Sequence, residues 1–268
     1  MKQAWPSKPN QQFSNTVARA LQMLEAFSPE KPNRSFPELH RITGVPRSTV
    51  FRLLKTLTEL NYLRYHSETR NYSLGPRVLS LGFSVLQSME IREFTRPYLE
   101  KLSRQCNKSV NLLMLDRQQM VFIERVRVPG LRDFNISVGS TIPIYNTAAG
   151  RAVLAYMDEG KFREIVQRLK KEPEALRYIG RNANTLDQLL TEVRRNGFAI
   201  NDEESTKGVR AIAVPIFSPE GVTYAMDMIV APEEVSVEEL KDQYAPRLIT
   251  AGKEISKAMG WDQDGTKD

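Results

Sequence analysis

The chain has 268 residues and a mass of 30.6 kDa, enough for a substantial core and for two domains. An apolar fraction of 41% and a charged fraction of 26% are those of a soluble globular protein, and no apolar run reaches the roughly 18 residues that a membrane helix needs. The start, "MKQAWPSKPNQQFSN", has no apolar centre to serve as a signal peptide, and the single cysteine, Cys106, excludes an intrachain disulfide and a cysteine-based metal cluster, so a cytoplasmic address is expected.

The formal charge of +6 is unevenly placed. Residues 1–76 carry four lysines and seven arginines against five glutamates and no aspartate, which is the whole excess. The first quarter therefore suits a polyanionic partner, and the neutral remainder does not.

In chain order, "NTVARALQMLEAF" repeats Val17, Leu21, Leu24 and Phe27 at helical spacing, and "SPEKPNR" breaks it. Ser35 with Glu38 three residues on forms a capping box for a short helix burying Leu39 and Ile42, which Gly44 can end in a left-handed turn. Pro46 fits the first turn of a third helix, which buries Val50, Leu53, Leu54, Leu57 and Leu60. A turn of about three residues forces the second and third helices to cross steeply, the helix-turn-helix plan. "YLRYHSETRNYSL" then alternates about a polar tip at Glu68–Asn71 and reads as a two-stranded wing.

On a projecting third helix, Arg47, Ser48, Thr49 and Arg52 stand at the leading end, where a major groove would receive them. Arginine can grip guanine bidentately, and Ser or Thr can reach a base or a phosphate. Lys55, Arg70 at the wing tip and Arg19 on the first helix suit backbone phosphates, and Phe51 reads as packing. Each of these basic groups could instead be an ordinary solvated side chain. Double-stranded DNA fits better than RNA, whose deep major groove excludes side chains and for which no aromatic platform is present.

"GPRVLSLGFSVLQSMEIREFTRPYLEKLSRQC" gives a helix to about Ser88 and another from about Ile91; Leu79, Phe83 and Leu86 share a stripe suited to joining domains and pairing with a second copy. Beyond it, "SVNLLML" and "MVFIERVRV" form one hairpin and "VRAIAVPIF" and "VTYAMDMIV" another. Helices are expected near 159–171, 185–196 and 237–259, and "GWDQDGTKD" is expected to fray. Strand pairs with helices laid against them make an α+β domain. On "VTYAMDMIV", Tyr224, Met226, Met228 and Val230 share one face, with Asp227 and Ile229 on the other.

Both histidines, His40 and His66, lie in the first quarter, so the large domain holds no histidine triad and no histidine metal site, and no phosphate-binding glycine motif occurs. The carboxylates of "NDEES" could serve acid–base chemistry or Mg²⁺, or simply a solvated loop or cap. Cys106 beside basic residues could have a lowered pKa or be an ordinary partly buried thiol. No enzyme, cofactor or metal is expected.

Over about Asn15–Gly260 the sequence resembles the IclR family of bacterial transcriptional regulators. The likeness rests on "VARALQMLEAF", "FPELHRITGVPRSTVFRLLKTLTELNYL" and "YSLGPRVLSLG", and then on "ISVGSTIPIYNTAAGRAVLAYM", "RRNGFAINDEESTKGVRAIAVPIF" and "MIVAP". It implies a winged helix-turn-helix at 14–76, a linker helix at 77–92 and a GAF-like effector-binding domain at 93–260, acting as a dimer or a dimer of dimers. It implies DNA contacts from Arg47, Ser48, Thr49 and Arg52 and an effector pocket between "IPIYNTAAG" and the last strands, lined by Tyr145, Asn146, Thr147, Asn201, Ala211, Met228 and Val230. Family members often carry Cys at the position of Ala211, and some binders of small acids carry Asp at Asn201 and Ser at Met228 and Val230. The apolar replacements favour an aromatic or short alkyl acid over glyoxylate or pyruvate.

The expected function is thus a ligand-responsive regulator of metabolic genes, on an inverted-repeat operator, with RNA polymerase as a further partner if it activates. The competing readings are a constitutive architectural DNA-binding protein and an enzyme localised by a basic domain.

Overall fold

The computed structural model describes residues 13–130, 134–181 and 183–261. The amino-terminal stretch read as lacking a signal peptide lies almost wholly outside them, as does most of the expected frayed end. The chain separates into two compact units, with the break between Ser88 and Met89.

In the first unit, α1 (Asn15–Leu24) starts at Ser14, whose hydroxyl accepts the Val17 N–H. It ends before Phe27, and its buried side is Ala18 and Met23; Val17 and Leu21 are 56% and 44% exposed. The expected apolar face is therefore corrected: Phe27 enters the core from the turn after the helix, and Val17 and Leu21 face outward. β1 (Arg34–Ser35) leads into α2 (Phe36–Thr43), where the Glu38 carboxylate accepts the Ser35 N–H at 2.9 Å. Gly44, at φ 64°, closes α2 in the left-handed conformation.

α3 (Arg47–Glu59) begins directly after Pro46, which is its extended cap and not part of its first turn. Val50, Leu53, Leu54 and Leu57 enter one core with Met23, Leu39 and Leu63. Leu60, expected inside, lies past the end of α3 and is exposed. β2 (Leu63–His66) and β3 (Asn71–Leu74) form the antiparallel wing, and β1 adds to its β3 edge, a pairing the sequence did not signal. α4 (Pro76–Ser88) buries no residue, and Leu79, Leu81, Phe83 and Val85 are all exposed along it.

The second unit begins with α5 (Glu90–Cys106). Its strands are β4 (Val110–Asp116), β5 (Gln119–Val126), β6 (Thr141–Pro143), β7 (Ala199–Asp202), β8 (Arg210–Ser218) and β9 (Gly221–Val230). They form one antiparallel sheet in the order β6-β5-β4-β9-β8-β7. The two expected hairpins are thus β4–β5 and β8–β9, joined through β4 and β9 at the centre.

Helices cover both faces. One layer holds α6 (Ala148–Leu154), α7 (Glu159–Leu169), α8 (Pro173–Arg181) and α9 (Ala183–Asn196). The helix α8 lies outside the expected helices; Pro173 opens it, where a missing N–H costs nothing. The other layer holds α5, the short α10 (Val237–Glu239) and α11 (Ala245–Ala258). The last two flank a π-helical turn at Leu240–Tyr244, so the expected continuous helix is interrupted. Pro246, with no N–H to give that turn, accounts for the break. Covered on both faces, the central strands are mainly apolar on both.

Candidate DNA interface and sensor pocket

With Val50, Leu53, Leu54 and Leu57 turned into the core, the helical period leaves Ser48, Arg52 and Lys55 at the centre of the exposed face of α3. Arg47 is exposed at the leading end, and its guanidinium lies 5.7 Å above the Phe36 ring, which orients it from α2. Thr49 is half-buried beside it. Lys55 sits 3.9 Å from Glu59 in an exposed pair, easily exchanged for a phosphate.

Phe51, expected to pack, is 61% exposed on this same face. Arg19 is exposed on α1, and Arg70 is exposed at the wing tip with φ 54°. Arg64, exposed on β2, adds a cation that sequence reading passed over. Such a face can give paired N–H donors to guanine edges and neutralise phosphates.

In the second unit, Tyr145, Asn146 and Thr147 lead into α6. Thr147 caps it, accepting the Gly150 N–H at 3.2 Å while giving its own hydroxyl to the Pro143 carbonyl at 2.6 Å. The buried Asn201 amide donates to the Asn146 carbonyl at 2.6 Å and accepts from Ser205 at 3.2 Å. Ala211 pairs with Asn201 across β7–β8 and belongs to the same layer.

Met228 and Val230 do not join these five. Ala211 lies opposite Ile229, so the residues of β9 that share its face are Ala225, Asp227 and Ile229. Met226, Met228 and Val230 pack into the other layer against residues such as Leu99, Leu248 and Ile255. The expected apolar wall is corrected to filled core, and the β9 residues facing the Tyr145 layer include a carboxylate.

The first domain matches the IclR helix-turn-helix domain over residues 16–67, and the second matches the bacterial transcriptional regulator IclR C-terminal domain over residues 83–257. The chain belongs to the IclR family. It is 32% identical to the Pca regulon regulatory protein of Pseudomonas putida over 94% of this chain and 86% of that one. A crystal structure of an IclR family transcriptional regulator from Brucella abortus superposes with a TM-score of 0.83 at 30% identity, covering 93% of this chain and 94% of that one. An IclR homologue from Microbacterium hydrocarbonoxydans complexed with 4-hydroxybenzoate shares the fold, with a TM-score of 0.71 at 20% identity over 92% of this chain and 99% of that one.

As an IclR-family protein, the chain is a DNA-binding, ligand-responsive transcriptional regulator and not an enzyme. The "NDEES" carboxylates have structural partners in keeping with this. Asp202 pairs with Arg210 at 2.6 Å, and Glu203 accepts the Gly208 N–H at 2.8 Å. Glu204 binds Arg151, a guanidinium only 1% exposed, which also donates to the Ile200 carbonyl at 2.9 Å and to the Tyr178 hydroxyl. Burial alone would raise the Glu204 carboxyl, but the hydrogen bonds and charge of Arg151, helped by Tyr178, outweigh it and hold the carboxyl below its ordinary value.

Cys106 is buried, and burial pushes its thiol up despite the opposing hydrogen bond from Arg247, so it is not the activated thiol its basic neighbours allowed. Among the described residues no helix is long and apolar enough to cross a membrane.

Proposed function

We propose that this IclR-family regulator binds an inverted-repeat operator as a dimer or a dimer of dimers and answers to a small organic, aromatic acid. In this reading residues 14–76 bind DNA, 77–92 link, and 93–260 form a GAF-like sensor; the protein works in the cytoplasm on catabolic or metabolic genes. The observation that carries the reading is the exposed basic face of α3 on a unit holding the whole charge excess. Exposed Leu79, Leu81, Phe83 and Val85 on α4 support pairing with a second copy, because such an apolar run is rarely left to water. The homologue complexed with 4-hydroxybenzoate supports an aromatic acid. RNA polymerase is the further partner if the protein activates.

Arg47, Ser48, Thr49 and Arg52 then read bases, while Lys55, Arg19 and Arg70 hold phosphates. Arg52→Ala is expected to cost roughly 1–3 kcal/mol of operator affinity and to relax preference at one base pair per half-site. Lys55→Ala should instead weaken all sequences alike and lower the salt slope by about one. Binding titrations against a set of single-base operator variants check both, and a uniform loss for Arg52→Ala overturns its assignment to a base. Two-fold symmetry requires half-site centres about 10 bp apart or a multiple of that. Footprinting that shows one asymmetric half-site contradicts the dimeric reading.

A further inference from the structure

α3 keeps one large apolar side chain out of the core. Phe51 is 61% exposed, while Val50, Leu53, Leu54 and Leu57 of the same helix are buried. The helical period sets Phe51 one turn after Arg47 and one turn before Lys55, with Ser48 and Arg52 beside it. All four of these neighbours are exposed. The cation–aromatic contact of Arg47 goes to Phe36 on α2 and not to Phe51.

A lone exposed apolar residue is ordinary and carries no meaning by itself. The surroundings give this one a direction. Its ring stands among three cations, and the sequence holds no carboxylate between Glu38 and Glu59. A second copy presenting the same face would set like charges together, which is unfavourable. A duplex suits both parts of the face: phosphates and guanine edges meet the cations, and the thymine 5-methyl group is an apolar feature of the major groove that a phenylalanine can meet.

Given that α3 enters the major groove as proposed above, we infer that Phe51 reads a thymine by packing its ring against the 5-methyl group, in the half-site where Arg52 reads its own base. The ring supplies what its neighbours do not. Arg47 and Arg52 favour the paired acceptors of guanine, and phosphate contacts from Lys55 carry no sequence information. Contact between ring and methyl removes apolar surface of both partners from water, and cytosine offers no such group at that place.

Binding titrations of the full chain test this on a duplex spanning its footprint in the promoter region beside its own gene. Each thymine in turn is replaced by deoxyuridine, which lacks only the methyl. At one thymine per half-site the wild type should lose roughly three- to fivefold in affinity for each methyl removed. Phe51→Ala should bind the thymine duplex more weakly and lose nothing further on the deoxyuridine duplex, because ring and methyl act as one contact. Phe51→Leu, which keeps an apolar tip, should retain part of the sensitivity to the methyl, and it carries the test if Phe51→Ala does not fold.

An equal loss for Phe51→Ala on thymine and deoxyuridine duplexes would mark a merely structural role and overturn the inference. So would a wild type indifferent to deoxyuridine at every position, or a smaller assembly for Phe51→Ala in sedimentation, which would place the ring against a second copy. Arg52→Ala on single-base variants of the same duplex separates the two claims. If it relaxes its own base pair while no thymine responds to loss of its methyl, only the assignment of Phe51 falls; if the wild type binds no duplex specifically, both fall.

Discussion

Asp227→Asn is expected to stabilise the protein, increasingly so as the pH rises. Burial pushes the Asp227 carboxyl from 3.8 up to about 7, against the opposing hydrogen bond from Asn111 and the charge of Arg125. Unfolded, the group ionises near 3.8, so between that value and about 7 the folded state holds a proton that the unfolded state has lost. Its contribution therefore falls as pH rises through this window and is at its worst above about 7. The whole shift corresponds to a penalty on the order of 4 kcal/mol at pH 8.

Asparagine keeps the shape and the acceptor for the Asn111 amide, and its own amide can donate to the buried Asn111 oxygen, which has no hydrogen-bond partner among the described residues. Urea unfolding of both proteins at pH 5 and pH 8 checks this. The variant's advantage should widen by about 3 kcal/mol between the two, because other titrating groups affect both proteins alike. Parallel stability–pH curves would show that Asp227 is not held near neutrality.

Gly150→Ala should have the opposite sign and a comparable size. Gly150 lies in the first turn of α6, and a β-carbon there would stand 1.9 Å from the Ile144 carbonyl oxygen and 2.5 Å from its carbon. The obstacle is backbone, so no side chain can rotate away, and α6 must lift from the segment carrying Tyr145, Asn146 and Thr147. Overpacking of this kind costs about 3 kcal/mol or more, near 10 °C of melting temperature for a domain of this size. The response to effector should fail with it. Since α3 lies in the other unit, operator binding should survive in whatever fraction remains folded. A melting temperature unchanged in calorimetry would mean that α6 and Ile144 do not meet this closely.

The two sites were legible in the sequence to different degrees, for physical reasons. The helix-turn-helix was readable because its signals are local: Ser35 with Glu38, Gly44 in the left-handed region, and the apolar period of α3. Where it misled, the cause was exposure that one chain alone does not explain. Val17, Leu21 and Phe51 are apolar at helical spacing and yet lie outside, as residues that meet a second molecule would.

The sensor pocket was harder because alternation along a strand shows which residues share a face but not what that face meets. With helices on both sides of the sheet, the Met226–Met228–Val230 face and the Ala225–Asp227–Ile229 face both look buried. Only the register of β8 against β9 decides between them. One clue was present: Asn111 and Asp227 are polar residues inside the apolar strands "SVNLLML" and "YAMDMIV". A polar group placed there must be satisfied by something, but their adjacency depends on a pairing between strands 116 positions apart.

The central claim, a regulator whose hold on DNA is set by a small acid, is tested most directly by one titration. The full chain is bound to the promoter region beside its own gene, and retardation is followed as aromatic and aliphatic acids are added. The account predicts specific retardation at low salt and a shift of about tenfold or more in the half-saturation point with an aromatic acid. No specific retardation of any adjoining fragment, with or without the acids, would contradict it.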